Sequence, residues 1–154
     1  MNGMKQWGLV RMVSGALLAA GLVACSSTGS MGTAVSAFDQ LGGMSSVNKL
    51  ASGLVNSSLK DPRLSGLTAG RTVDAAASTT KVSDQLCAIL GGGCKAPLNN
   101  DQLSAAASKL SPDQTKALSD NFGSTLNSLT SNPAVRDTVT KAIGSKLGGL
   151  AGLL

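Results

Sequence analysis

Histidine, tyrosine and glutamate are absent from this chain of 154 residues, and its eight acidic residues are all aspartates. Histidine is the usual acid–base group near neutral pH and the commonest transition-metal ligand. Its absence excludes Ser–His–Asp and Cys–His catalytic sites and most zinc sites. A catalytic role would have to rest on aspartate, lysine or cysteine alone. The sequence therefore predicts a protein that is not an enzyme and that has no metal site.

Aromatic residues and clustered charge are also scarce. Only 2% of the residues are aromatic, and 13 basic residues against eight acidic ones give a net charge of +5. No basic stripe is interleaved with aromatic side chains, so nucleic acid is excluded as a partner. The scattered aspartates do not match a calcium-binding loop, which requires a glycine and a glutamate at set positions.

The start of the chain has the layout of a secretory signal peptide. Lys5 and Arg11 precede an apolar run, 12–23, which is too short to span a bilayer. The four residues 22–25, Leu-Val-Ala-Cys, resemble a bacterial lipobox. This resemblance implies that the chain is cleaved before Cys25 and that Cys25 is lipidated, with several acyl chains giving a stable membrane anchor.

These features divide the chain into three parts. We expect a lipoprotein signal peptide at 1–24, the lipidated cysteine and a flexible tether rich in glycine and serine at 25–34, and a folded domain at 35–154. Ser26, rather than an aspartate, follows the cysteine. In a Gram-negative host this resembles the pattern of lipoproteins sorted to the outer membrane, facing the periplasm. The expected partners are the membrane, through the anchor, and an envelope protein.

From residue 34 onward the sequence predicts helices separated by glycine and proline. Apolar residues recur at helical spacing in about six segments, and no segment alternates as a strand would. Asp61-Pro62 and the triple glycine 91–93 predict helix ends, and Ser111-Pro-Asp-Gln predicts a capped helix start. The expected fold is an all-α, compact bundle of about six helices. We expect its glycine-rich tail after Leu147 to fray.

Four blocks in this part resemble group I truncated haemoglobins, the two-over-two helical globins. They are 38–43 (Phe-Asp-Gln-Leu-Gly-Gly), 59–64 (Leu-Lys-Asp-Pro-Arg-Leu), 85–94 and 111–118. They occur in the family's order and spacing, and the resemblance extends to about Leu147. It implies a truncated-globin-like fold with a haem pocket.

The pocket positions depart from the family pattern. The resemblance places the family's proximal histidine at Ala105, which has no donor atom for iron. The distal tyrosine or phenylalanine falls at Leu54, and one of the family's paired phenylalanines falls at about Leu67. We therefore expect no cofactor, with haem bound through an unusual ligand as the alternative.

Cys87 and Cys94 remain as a pair once Cys25 is assigned to the anchor. In an oxidising compartment they can form a disulfide, because the intervening glycines allow the chain to double back. Two free thiols and thiolate ligation of haem or a metal are the alternatives. The leading interpretation is an envelope lipoprotein with a non-catalytic binding or structural role. A haem- and oxygen-binding globin and an unrelated helical lipoprotein are the alternatives.

Overall fold

The computed structural model describes residues 35–154. Within this range seven α-helices follow one another, with two 3-10 stretches and no β-strand, which confirms the all-α prediction. The helices are α1 (Ala37–Leu41), α2 (Gly43–Lys60), α3 (Ser65–Thr68), α4 (Ala75–Leu90), α5 (Asn100–Ala107), α6 (Pro112–Leu129) and α7 (Pro133–Ile143). The 3-10 stretches are Pro62–Leu64 and Gly144–Leu153. The signal peptide, Cys25 and the tether to residue 34 lie outside the described residues.

The core forms around α2, which packs against both α4 and α6. Its apolar residues recur every three or four positions, as expected for a helix with one buried face. The buried ones are Val47, Leu50, Ala51, Leu54 and Val55. The partner helices contribute Val82, Leu86 and Leu90 from α4 and Leu118, Phe122 and Leu126 from α6.

Side-chain caps fix where the helices begin. Asp74 accepts hydrogen bonds from the first backbone N–H groups of α4. Asn99 and Ser111 each form a reciprocal capping box, with Gln102 in α5 and Gln114 in α6. Gly91 ends α4 in the left-handed conformation, which glycine adopts without steric cost. The predicted starts at Asn99 and Ser111 and the stop at the triple glycine are therefore confirmed.

Two segments differ from the sequence prediction. The stretch after Asp61, where the sequence predicts only a helix end, forms two short helical turns, Pro62–Leu64 and α3. This raises the α-helix count from about six to seven. The expected fraying of the glycine-rich tail is wrong: Gly144–Leu153 forms a 3-10 helix whose apolar side chains are buried. The reason is its packing against α5, described below.

In the described part of the chain, no helix combines the length and the apolar character needed to cross a membrane.

Candidate functional site

The three positions that resemble the haem pocket of truncated globins do not face one common cavity. Leu54, on α2, is 2% exposed and belongs to the core. Ala105, on α5, is exposed. Leu67, on α3, is half-buried and lines a surface groove of about 260 Å³ with Ala106, on α5. The structure thus brings Leu67 close to α5, whereas Ala105 points to the outside.

Leu103, rather than Ala105, is the side chain of α5 that reaches the core. It is 3% exposed and is the one buried residue of that helix. It lies against Gly149 of the 3-10 stretch Gly144–Leu153, hereafter segment 144–153. A Cβ atom added to Gly149 would come within 2.7 Å of the Leu103 Cα atom. Segment 144–153 therefore covers the inner face of α5 at van der Waals distance.

Sequence reasoning missed this contact. The spacing of Gly148, Gly149 and Gly152 was available as a signal, because glycines at such positions allow two backbones to approach closely. The same glycines weaken helix formation when a helix is considered alone, which is why fraying was expected. Whether the glycines cause close packing or fraying is decided only by the position of α5 in space.

Cys87 lies near the C-terminal end of α4, and Cys94 lies in the loop that follows this helix. Cys87 is fully buried, Cys94 is half-buried, and their Sγ atoms are at disulfide-bonding distance with Cα atoms 5.6 Å apart. The chain reverses between them: the Gly92 N–H donates to the Cys87 carbonyl at 2.8 Å. In this arrangement the two sulfur atoms are bonded to each other, so the Cys87 sulfur is not available as a metal ligand.

Two buried polar side chains on α4 hold neighbouring segments. The Gln85 Oε1 atom accepts the backbone N–H of Leu98 at 2.8 Å, which fixes the loop that leads into α5. The Ser83 hydroxyl donates to the Asn48 side chain on α2. Both residues are 2% exposed. These two hydrogen bonds therefore hold α2 and the loop before α5 against α4.

The titratable groups with shifted pKa values lie on the surface around the turn after α2. The Arg63 guanidinium donates to Asp61 and thereby lowers the pKa of that carboxyl group from 3.8 to about 2. Hydrogen bonds from Lys116 and Arg63 lower the pKa of Asp120 on α6. Asn121 also donates to Asp61, at 3.2 Å. These groups join the turn to α6 and keep the carboxylates ionised, which does not suit proton transfer near neutral pH.

One groove has a volume of about 510 Å³ and is open to solvent. Arg71, Asp74 and Lys81 contribute charged groups to it, and Leu98 and Leu153 form part of its apolar lining. Among residues 35–154, no three histidine, cysteine or acidic side chains lie close enough together to bind a metal ion.

No protein-family model and no curated protein sequence matches the chain. Solved structures do match: three variants of truncated hemoglobin from Tetrahymena pyriformis, all in the Fe(III) form. The fold is truncated-globin-like. Two of the variants superpose with a TM-score of 0.61 at 22% identity, and the third with 0.58 at 20% identity. Each match covers 71% of this chain and 92% of the hemoglobin.

The residues of this chain do not fit a haem in the way the fold suggests. The chain has no histidine, and the position that resembles the proximal histidine, Ala105, is an exposed methyl group. Leu54 cannot donate a hydrogen bond to a bound gas. The inner face of α5 is covered by segment 144–153. The fold is truncated-globin-like, but neither Ala105 nor Leu54 carries a side-chain donor atom for an iron or for a bound gas.

Proposed function

We propose that this chain is a membrane-anchored envelope lipoprotein whose truncated-globin-like domain has a non-catalytic binding or structural role and binds no haem. The observation that supports the proposal is that the chain has no histidine and that Leu103, which has no donor atom, occupies the buried position of α5. Function belongs to the site rather than to the fold, so a globin-like scaffold need not bind haem.

The anchor is the second part of the proposal. Lipidation of Cys25 would hold the domain at the membrane through the tether 25–34, whose ten residues give a typical reach of about 17 Å as a flexible chain. In a Gram-negative cell the domain would face the periplasm from the outer membrane. Val35, the first described residue, is 62% exposed, so the chain enters the domain at its surface, as a tethered domain requires.

The partner follows from this location. A domain held within about 17 Å of a membrane meets other envelope proteins at high local concentration, and weak contacts are then sufficient for association. The open grooves beside α4 and α5 have both charged and apolar linings, which suits a protein surface better than a small apolar ligand. We therefore propose an envelope protein as the partner and no enzymatic activity.

A haem- and oxygen-binding globin is the second candidate, and the likeness to solved hemoglobin structures is the observation that favours it. This candidate needs an iron ligand other than histidine. The Cys87 or Cys94 thiolate could serve only if the two were not bonded to each other. An unrelated helical lipoprotein, the third interpretation, is less consistent with a TM-score of 0.61 over 92% of the hemoglobin chain.

An absorption spectrum separates the first two candidates. The full chain would be produced in a bacterial envelope with haem supplied, extracted in detergent and compared with a Cys94→Ser variant. We expect a folded helical protein without a Soret band in both. A near-stoichiometric Soret band in the parent that is lost in the variant would overturn the haem-free proposal in favour of thiolate ligation.

The anchor is tested separately. In cells supplied with labelled palmitate, the parent should incorporate label and sediment with membranes. A Cys25→Ser variant should do neither, whereas Cys94→Ser should behave as the parent. Label retained by Cys25→Ser would contradict the assignment of the anchor.

A further inference from the structure

Segment 144–153 is the least expected element of the fold. A 3-10 helix of ten residues is long for its type, because 3-10 hydrogen bonds are poorer than α-helical ones. Tertiary packing must therefore hold it. Five of its residues are buried: Leu147, Gly149, Leu150, Ala151 and Leu153. It packs most extensively against α5 and also contacts α4, α6 and α7.

Glycines bring the two backbones together. A Cβ on Gly149 would lie 2.7 Å from the Leu103 Cα, a backbone atom that cannot move aside alone. Cβ atoms on Gly148 and Gly152 would lie 3.0 Å from the methyl carbons of Ala107 and Ala106. Three glycines thus face three successive inward positions of α5, and Leu150, which lies between them in the sequence, is buried.

This placement has a consequence for the pocket. The resemblance to truncated globins places the proximal histidine on α5, and the buried position of this helix is occupied here by Leu103. We infer that segment 144–153 takes the place of the prosthetic group against α5, so that the domain completes its core with its own chain. The inference rests on the proposed haem-free function and identifies the segment that fills the core in the absence of haem.

A matched pair of glycine substitutions tests the inference in the full chain. Gly149→Ala adds a methyl group at the closest approach to α5, whereas Gly144→Ala adds one where no heavy atom lies within 4 Å. Neither glycine has a positive φ, so alanine is compatible with both backbones. Intrinsic helix propensity favours alanine equally at both positions. Opposite effects of the two substitutions on stability can then come only from the contact of residue 149 with α5.

We expect Gly149→Ala to lower Tm by about 5–10 °C and Gly144→Ala to leave it unchanged or raise it slightly. Amide hydrogen exchange in α5 should become at least about tenfold faster in Gly149→Ala alone, because this helix loses its cover. If Gly149→Ala kept both Tm and the protection of α5 at the level of Gly144→Ala, the inference would be overturned.

Haem addition to the unmodified chain distinguishes failure of this inference from failure of the proposed function. A Soret band with unchanged exchange protection in α5 and segment 144–153 would overturn the haem-free function but support the inference, because haem would then bind elsewhere. A Soret band accompanied by loss of that protection would overturn both. Absence of a band, with both elements protected, supports both.

Discussion

Gly53 on α2 lies directly against Thr125 on α6, so close that a Cβ atom added to Gly53 would overlap the Thr125 methyl carbon. The Thr125 hydroxyl donates to the Asn121 carbonyl at 2.8 Å, which fixes the side chain with its methyl group toward α2. The crossing of the two central helices therefore depends on the missing side chain at residue 53.

This relationship predicts opposite effects for two mid-helix glycines. Gly53→Ala should lower the free energy of unfolding by about 1–3 kcal/mol, because the helices must separate or Thr125 must rotate and lose its hydrogen bond. Gly123→Ala, on α6, meets no atom within 4 Å and should raise it by about 0.5–1 kcal/mol through helix propensity. Urea unfolding of both variants measures the difference. Equal effects would show that the crossing is not tightly packed.

The cysteine pair gives a second prediction. A disulfide between Cys87 and Cys94, seven residues apart, should stabilise the domain by about 2–3 kcal/mol through the loss of chain entropy in the unfolded state. Reductant should therefore lower the urea midpoint of the parent. A Cys87→Ala/Cys94→Ala variant should have the lower midpoint under all conditions and show no response to reductant. A parent midpoint that reductant does not change would indicate free thiols instead.

The Asp61 carboxyl gives a pH prediction. Its pKa is lowered to about 2 in the folded state, chiefly by the hydrogen bond from Arg63. A lowered folded-state pKa adds stability that is fully present above about pH 4 and is lost as the pH falls toward 2. Asp61→Asn keeps the shape of the side chain but removes its charge. The difference in Tm between the parent and this variant should thus shrink between pH 4.5 and pH 2.

Asp137→Asn is the matched control for that measurement. Asp137 pairs with Lys141 on the surface of α7, where the carboxylate is 62% exposed and such pairs contribute little. This variant should follow the parent at every pH. A difference between parent and Asp61→Asn that stays constant across the acid range would contradict the assigned role of Arg63.

The helices were predictable from the sequence because their signals are local. Asn99 and Ser111 act through backbone groups within three residues, so the capping boxes could be assigned without knowing the fold. The truncated-globin-like architecture could be predicted from ordered blocks such as 38–43 and 111–118. Its confirmation came from solved structures rather than from sequence matches.

The pocket was less predictable because its character depends on contacts distant in the chain. Ala105 has no donor atom whatever the fold, but its exposure on the outer side of α5 depends on how that helix is rotated. The packing of Gly149 against Leu103 joins residues 46 positions apart in the sequence. A local propensity scale predicts instead that the glycine-rich segment frays. Propensity fails here because buried apolar side chains outweigh the cost of the glycines.

The role of Gln85 also depends on a contact outside its own helix, and it gives the last prediction. It lies on the buried face of α4, where its Oε1 atom accepts the Leu98 N–H, so Gln85→Met leaves that partly buried donor without a partner. The expected loss is about 1–3 kcal/mol in free energy of unfolding. The Leu98 amide should also exchange faster with solvent. Gln102→Met, which removes an exposed capping side chain from α5, should cost less and leave Leu98 protected. If Leu98 kept its protection in Gln85→Met, the loop into α5 would be held by its apolar contacts instead.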